Sequence, residues 1–146
     1  MRLKELMKNE NLLIKVKETS AKILYVSNPN NPMGTINKPL DIETLVQNLP
    51  ENTMLCLDEA YIDFVDPALI PNISTNIKNI IRMRTFSKAY GMAGLRVGYA
   101  IGEKDLILSQ LPKFLLGVCL KSLKKQKKAE KAQPNVLIGL LVHFPF

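Results

Sequence analysis

The sequence has little of what builds a disulfide framework or a zinc site: two cysteines, Cys56 and Cys119, and one histidine, His143. The cysteines lie far apart with no CxxC spacing, which excludes a cross-linked secreted scaffold and a thiolate metal cluster. A reducing compartment follows. His143 stands beside Phe144 with no partner for a metal or a catalytic triad. No apolar run approaches the roughly 20 residues that cross a bilayer, and Arg2, Lys4, Glu5, Lys8 and Glu10 occupy the stretch where a secretory leader would be apolar. Cytoplasm is the expected compartment, with no membrane partner. No internal repeat is visible. Gly91-x-x-Gly94-x-x-x-Gly98 is not the GxGxxG dinucleotide fingerprint, so a nicotinamide reading has little support.

What is present is an ordinary globular composition, 47% hydrophobic over 146 residues, enough for one domain with a core. The net charge of +7 belongs largely to one segment: setting aside the six lysines between Lys121 and Lys131, with Glu130, leaves +2. Such a run is most often a solvated helix face. It carries no interleaved aromatics and no base-reading motif, so no nucleic-acid partner is expected.

Residues 2–18 alternate charge with Leu3, Leu6, Met7, Leu12, Leu13, Ile14 and Val16, a pattern for one or two short amphipathic helices. Lys22 to Val26 reads as a buried strand, and Ser27 to Pro39, dense in Asn, Pro and Gly, reads as loop. Asp41 to Asn48 places Ile42, Leu45, Val46 and Leu49 on one helical face. Thr53 to Leu57, Lys78 to Thr85 and Arg96 to Ile101 are the next strands, Ile62 to Asn76 is loop with a short helix, and Glu103 to Leu111 is helix. Strands separated by helices predict an α/β domain with a mostly parallel sheet, helices packed on it. The link between the third and fourth strands is too short for a crossover helix, so the fourth runs antiparallel. Ligands gather beyond the carboxyl ends of such strands, where Asn31, Asp58 and Ser87-Lys88 fall.

Three segments carry the chemistry: Ser27-Asn28-Pro29-Asn30-Asn31-Pro32-Met33-Gly34, Leu57-Asp58-Glu59-Ala60-Tyr61, and Thr85-Phe86-Ser87-Lys88-Ala89-Tyr90-Gly91 followed by Arg96 eight residues after the lysine. From about Asn11 to about Gln110 the chain resembles the fold-type I pyridoxal-phosphate aminotransferases, most closely the histidinol-phosphate aminotransferases. The resemblance implies that residues 1–117 are part of that large domain, with residues 118–146 a divergent Lys-rich and apolar tail. It implies pyridoxal 5'-phosphate as cofactor and exchange of an amino group between histidinol phosphate and 2-oxoglutarate, with glutamate and 2-oxoglutarate as the partner pair, in histidine biosynthesis.

It also implies roles. Lys88 is the catalytic amine that condenses with the cofactor aldehyde. An ordinary lysine near ~10.4 is mostly charged at pH 7, so this chemistry asks for a cationic, partly dry neighbourhood. Asp58 pairs with the pyridine nitrogen, making the ring an electron sink. Asn31 and Tyr61 hydrogen-bond the phenolic oxygen. Ser87 and Arg96 hold the phosphate, the guanidinium by two oxygens at once, and Thr85 adds a hydroxyl. The glycines fit backbone held close to a ligand. Without the resemblance, Tyr61 reads as a buried phenol satisfied by backbone and Asn31 as turn chemistry; Asn28 and Asn30 keep that local role, and Glu59 and Asp63 read as ordinary neighbours. Met33 departs from the pattern, standing where relatives usually carry threonine.

After about Gly117 the resemblance stops, as a frameshift, a truncation or decay of the reading frame would make it. Relatives supply an upstream phosphate loop and a ring stacked on the cofactor, a downstream arginine that grips substrate, and a homodimer that shares its sites. Without them the isolated chain is expected to bind cofactor weakly and to turn over little or nothing. The rival readings are a threonine-phosphate decarboxylase-like enzyme, a non-catalytic remnant, and a basic binding module on the same scaffold.

Overall fold

Short apolar runs become strands here because the sheet gives them two faces on which to bury side chains. In the computed structural model, which describes residues 9–95 and 97–114, helix α1 (Asn9–Thr19) leads into strand β1 (Ile23–Ser27) and, beyond a long loop, helix α2 (Pro39–Gln47). Strands β2 (Met54–Asp58), β3 (Ile80–Thr85) and β4 (Gly98–Gly102) follow, and helix α3 (Lys104–Phe114) closes the described chain. Strand order is β1-β2-β3-β4, with β1, β2 and β3 parallel and β4 antiparallel to β3. The turn of β4 has the anticipated cause: between β3 and β4 there is room for a single 3₁₀ turn, Ala93–Leu95. The tail from residue 118, with its lysine run and His143, lies outside the described residues.

Strand alternation sorts side chains to two faces. On one, Val26, Leu55, Leu57 and Ile80 meet Ile42, Leu45 and Leu49 from α2 and its C-terminal end, with Leu12 and Leu13 of α1 packed against them. On the other, Ile81, Met54, Met83 and Ala100 meet Ile107 and Leu106 of α3. Helices thus cover both faces of a largely parallel sheet. Ile42, Leu45, Leu55 and Leu57 are completely buried, each worth about 1.5–3 kcal/mol over exposure. Helix α2 starts with Pro39, whose missing N–H costs nothing in a first turn, and Asn48 ends it by donating Nδ2 to the Thr44 carbonyl at 2.9 Å.

The space anticipated as loop plus helix between β2 and β3 holds two 3₁₀ turns, Ile62–Phe64 and Pro67–Leu69. At Gly98 the absent side chain serves the sheet: a Cβ there would stand 2.7 Å from the Arg84 carbonyl, so its bareness lets β4 close on β3. Gly91 has φ +67°, a left-handed conformation that favours glycine.

Candidate active site

The three parallel strands end side by side. Ser27 pairs with Asp58 and Asp58 with Met83, and the ladder runs on as Asn28 N–H donates to the Asp58 carbonyl and Glu59 N–H to the Met83 carbonyl, both at 2.8 Å. This alignment delivers the loop after β1, the turn after β2 and the segment after β3 to one edge.

Asp58 ends the central strand, half-buried. Its Oδ1 accepts the Ala60 N–H at 2.9 Å and its Oδ2 accepts the Tyr25 hydroxyl. Three residues on, Tyr61 Oη accepts from Asn31 Nδ2 at 3.2 Å, tying the β1 loop to the β2 turn. The Lys88 Nζ lies 5.1 Å from the centre of the Tyr61 ring, a cation–π distance that joins the β3 segment to the same pair. Asn31, Tyr61 and Lys88 are therefore brought together, with Asp58 three residues before Tyr61 at the end of β2. Lys88 itself is exposed.

Thr85 and Ser87 sit half-buried at the end of β3. Thr85 Oγ1 accepts the Ser87 N–H at 3.1 Å and donates to the Val97 carbonyl at 3.3 Å, fixing the turn from which Lys88 projects. Arg96, the anticipated guanidinium for phosphate, lies outside the described residues.

The β1 loop is held locally by the Asn28 side chain, as anticipated, whereas Asn30 takes part through its backbone alone and its Oδ1 is buried without a partner among the described residues. Asn28 is fully buried, and its Oδ1 accepts from the Asn37 N–H at 2.8 Å and from Asn37 Nδ2 at 3.3 Å. Asn30 exchanges backbone bonds with Thr35 and Gly34. Beside Asn31 a recess of about 360 Å³ is lined by Pro29, Asn30, Pro32, Tyr61, Phe64 and Val65, among others. Met33 is exposed.

One sequence reading is overturned. Glu59 is no ordinary neighbour: it is fully buried, its Oε1 accepting from Arg82 Nε and Nη2 at 3.0 and 2.8 Å and its Oε2 from Arg84 Nε at 2.8 Å. Burial acts to lower the Arg84 guanidinium, and Glu59, with Tyr99, outweighs it and leaves the group above its ordinary value. Asp63 is exposed, in keeping with its reading. Sequence reasoning also missed Tyr25. The available signal was period-two alternation, which puts Tyr25 and Asp58 on one face of the sheet while Glu59 takes the other.

The donor set matches one molecule with four different ends. A carboxylate suits a protonated ring nitrogen, an amide–phenol pair suits a ring oxyanion, an amine suits an aldehyde, and the Ser87 hydroxyl suits a phosphate. The family model "Aminotransferase class I and II" matches residues 6–132, and the chain belongs to that family. Pyridoxal phosphate is the cofactor of this family. Among curated relatives, a histidinol-phosphate aminotransferase 2 of Bacillus thuringiensis subsp. konkukian is 42% identical over 96 residues, 63% of this chain and 26% of the relative. An aromatic amino acid aminotransferase of Mycobacteroides abscessus is 41% identical over 88 residues, 59% of this chain and 25% of the relative. The solved histidinol-phosphate aminotransferase of Sinorhizobium meliloti, in complex with pyridoxal-5'-phosphate, superposes with a TM-score of 0.68 at 39% identity, covering 70% of this chain and 28% of that one. The chain thus spans about a quarter of the length of the curated relatives it matches. Among the described residues no helix is long and apolar enough to cross a membrane.

Proposed function

We propose that these residues form the pyridoxal-phosphate-gripping part of an aminotransferase that moves an amino group between histidinol phosphate and 2-oxoglutarate. The observation that carries the reading is the Asn31–Tyr61–Lys88 contact set, drawn from three segments distant in sequence, with Asp58 ending the strand that leads to Tyr61. When bound, pyridoxal phosphate supplies a ring that takes up the electron pair left at the substrate α-carbon. Asp58 offers a negative acceptor to the ring N–H, a charge-assisted bond worth roughly 1.5–3 kcal/mol. Because Tyr61 Oη accepts from Asn31, its own proton is left to give to a ring oxyanion, and Asn31 keeps a second N–H for the same acceptor. The Tyr61 ring keeps the Lys88 amine close to the Asn31–Tyr61 pair, and with the cofactor bound this amine would be the group that takes and returns the α-proton. Ser87 and Arg96 are the phosphate ligands, while the Thr85 hydroxyl, anticipated as a further ligand, gives its proton to the Val97 carbonyl and instead shapes the turn that carries Ser87.

An exposed Lys88 is a wet one, and water weakens each electrostatic contact that would tune it. The 146 residues alone should therefore bind the cofactor weakly and transaminate little. The test is titration of the purified chain and of Lys88→Ala with pyridoxal phosphate, followed by absorbance. Weak binding that disappears in the variant is expected, and identical behaviour of the two proteins would refute the assignment.

The Mycobacteroides abscessus relative supports a second substrate reading, an aromatic amino acid. Assaying the chain with histidinol phosphate and with phenylalanine, each against 2-oxoglutarate, separates the two by which donor forms glutamate faster.

A further inference from the structure

Tyr25 lies opposite Cys56 on the β1–β2 ladder, two residues short of the Ser27–Asp58 pair. A diagonal neighbour of this kind is within reach of a long aromatic side chain, and the Tyr25 hydroxyl does reach Asp58 Oδ2. The other oxygen, Oδ1, is already held by the Ala60 N–H at 2.9 Å. Asp58 is thus gripped from two directions, by its own turn and by the neighbouring strand. Core filling does not account for this tyrosine, whose residue is 59% exposed.

We propose that Tyr25 is a positioning residue for Asp58: its phenol fixes the rotation of the carboxylate that pairs with the pyridine nitrogen. The inference rests on the cofactor reading above. The bond from Tyr25 does not use up the site, since each carboxylate oxygen has a second lone pair for a ring N–H. Nor does it bring a competing charge. Lost hydration, then the bond to Asp58 and its negative charge, with a smaller effect of Cys56, push the phenol up to about 12, so it stays a neutral donor at working pH.

The test uses the whole chain and Tyr25→Phe, which keeps the ring and removes only the hydroxyl. Asp58 β-methylene couplings, read by NMR without cofactor, should report one side-chain rotamer in the wild type and averaged rotamers in the variant. Unchanged couplings overturn the proposal. Pyridoxal phosphate affinity should fall about two- to tenfold in Tyr25→Phe, the cost of immobilising one freed side chain on binding, in a variant that still unfolds cooperatively; equal affinity overturns it. Should the wild type bind no cofactor at all, the functional reading fails, and the couplings alone decide whether Tyr25 positions Asp58. As a second check, Asp58→Asn should bring the Tyr25 titration back toward the ordinary 10.0, and a midpoint that stays near about 12 counts against the pairing.

Discussion

Glu59 and Asp58 are adjacent in sequence and opposite in duty. A strand turns successive side chains to opposite faces, so Asp58 faces Tyr25 while Glu59 goes under the sheet to Arg82 and Arg84. A fully buried carboxylate shared by two guanidiniums is expensive to disturb from one side, because removing it strands two charges in a place short of water. Glu59→Gln should cost about 3–5 kcal/mol in urea unfolding, whereas Asp63→Asn, at an exposed position, should stay within about 0.5 kcal/mol. Equal losses at the two positions would show that the Glu59 cluster contributes nothing special. Since Arg82 and Arg84 belong to β3, loss of these ion pairs should loosen the strand ends that carry Asp58 and the Lys88 turn.

At the scale of the element, α3 shows how a helix start can carry a pH dependence. Glu103 stands just before Lys104, and its side chain accepts the N–H groups of Asp105 and Leu106, the latter at 3.0 Å. These bonds, with a smaller attraction from Lys78, hold its carboxyl below the ordinary 4.5. A folded value below the unfolded one means that the stabilisation is fully present above 4.5 and is lost as pH falls through the lowered folded value. Unfolding free energies of the wild type should therefore decline toward acid more steeply than those of Glu103→Gln, with the gap between the two proteins closing as pH falls. A constant gap across that window would mean that the cap does not depend on charge. The same helix contributes Ile107 to the second face of the sheet, so loss of the cap loosens the cover over β3 and β4.

For the molecule as a whole, stability rests on the face that holds Leu55 and Leu57 against Ile42 and Leu45. All four are completely buried, so Leu57→Ala should cost about 2–5 kcal/mol through lost burial and the cavity left behind, read as a lower urea midpoint at unchanged slope. A cost under about 1 kcal/mol would mean that the core collapses around the gap. Because Leu57 precedes Asp58, the same substitution probes whether the core or the edge governs site geometry: cofactor affinity should fall only where the fold itself is lost.

Much of this was legible along the chain. Local apolar runs ending in Asn, Pro and Gly define the strands and the β1 loop, since a strand's preference is written in a handful of adjacent residues. The short link before Gly98 dictates an antiparallel β4, because no crossover fits there. Asn31, Tyr61 and Lys88 were readable as one group only through the family resemblance of their segments, and the structure brings the three side chains together. Boundaries moved slightly, β3 starting at Ile80 and β4 at Gly98, because strand ends are set by ladder bonds to a neighbour rather than by local preference. Only the tertiary structure could decide what Tyr25, Glu59 and Gly98 do. Their partners, Asp58, the Arg82–Arg84 pair and the Arg84 carbonyl, are distant in sequence. Alternation along a strand tells which face a residue takes, and only the register between strands tells what waits for it there.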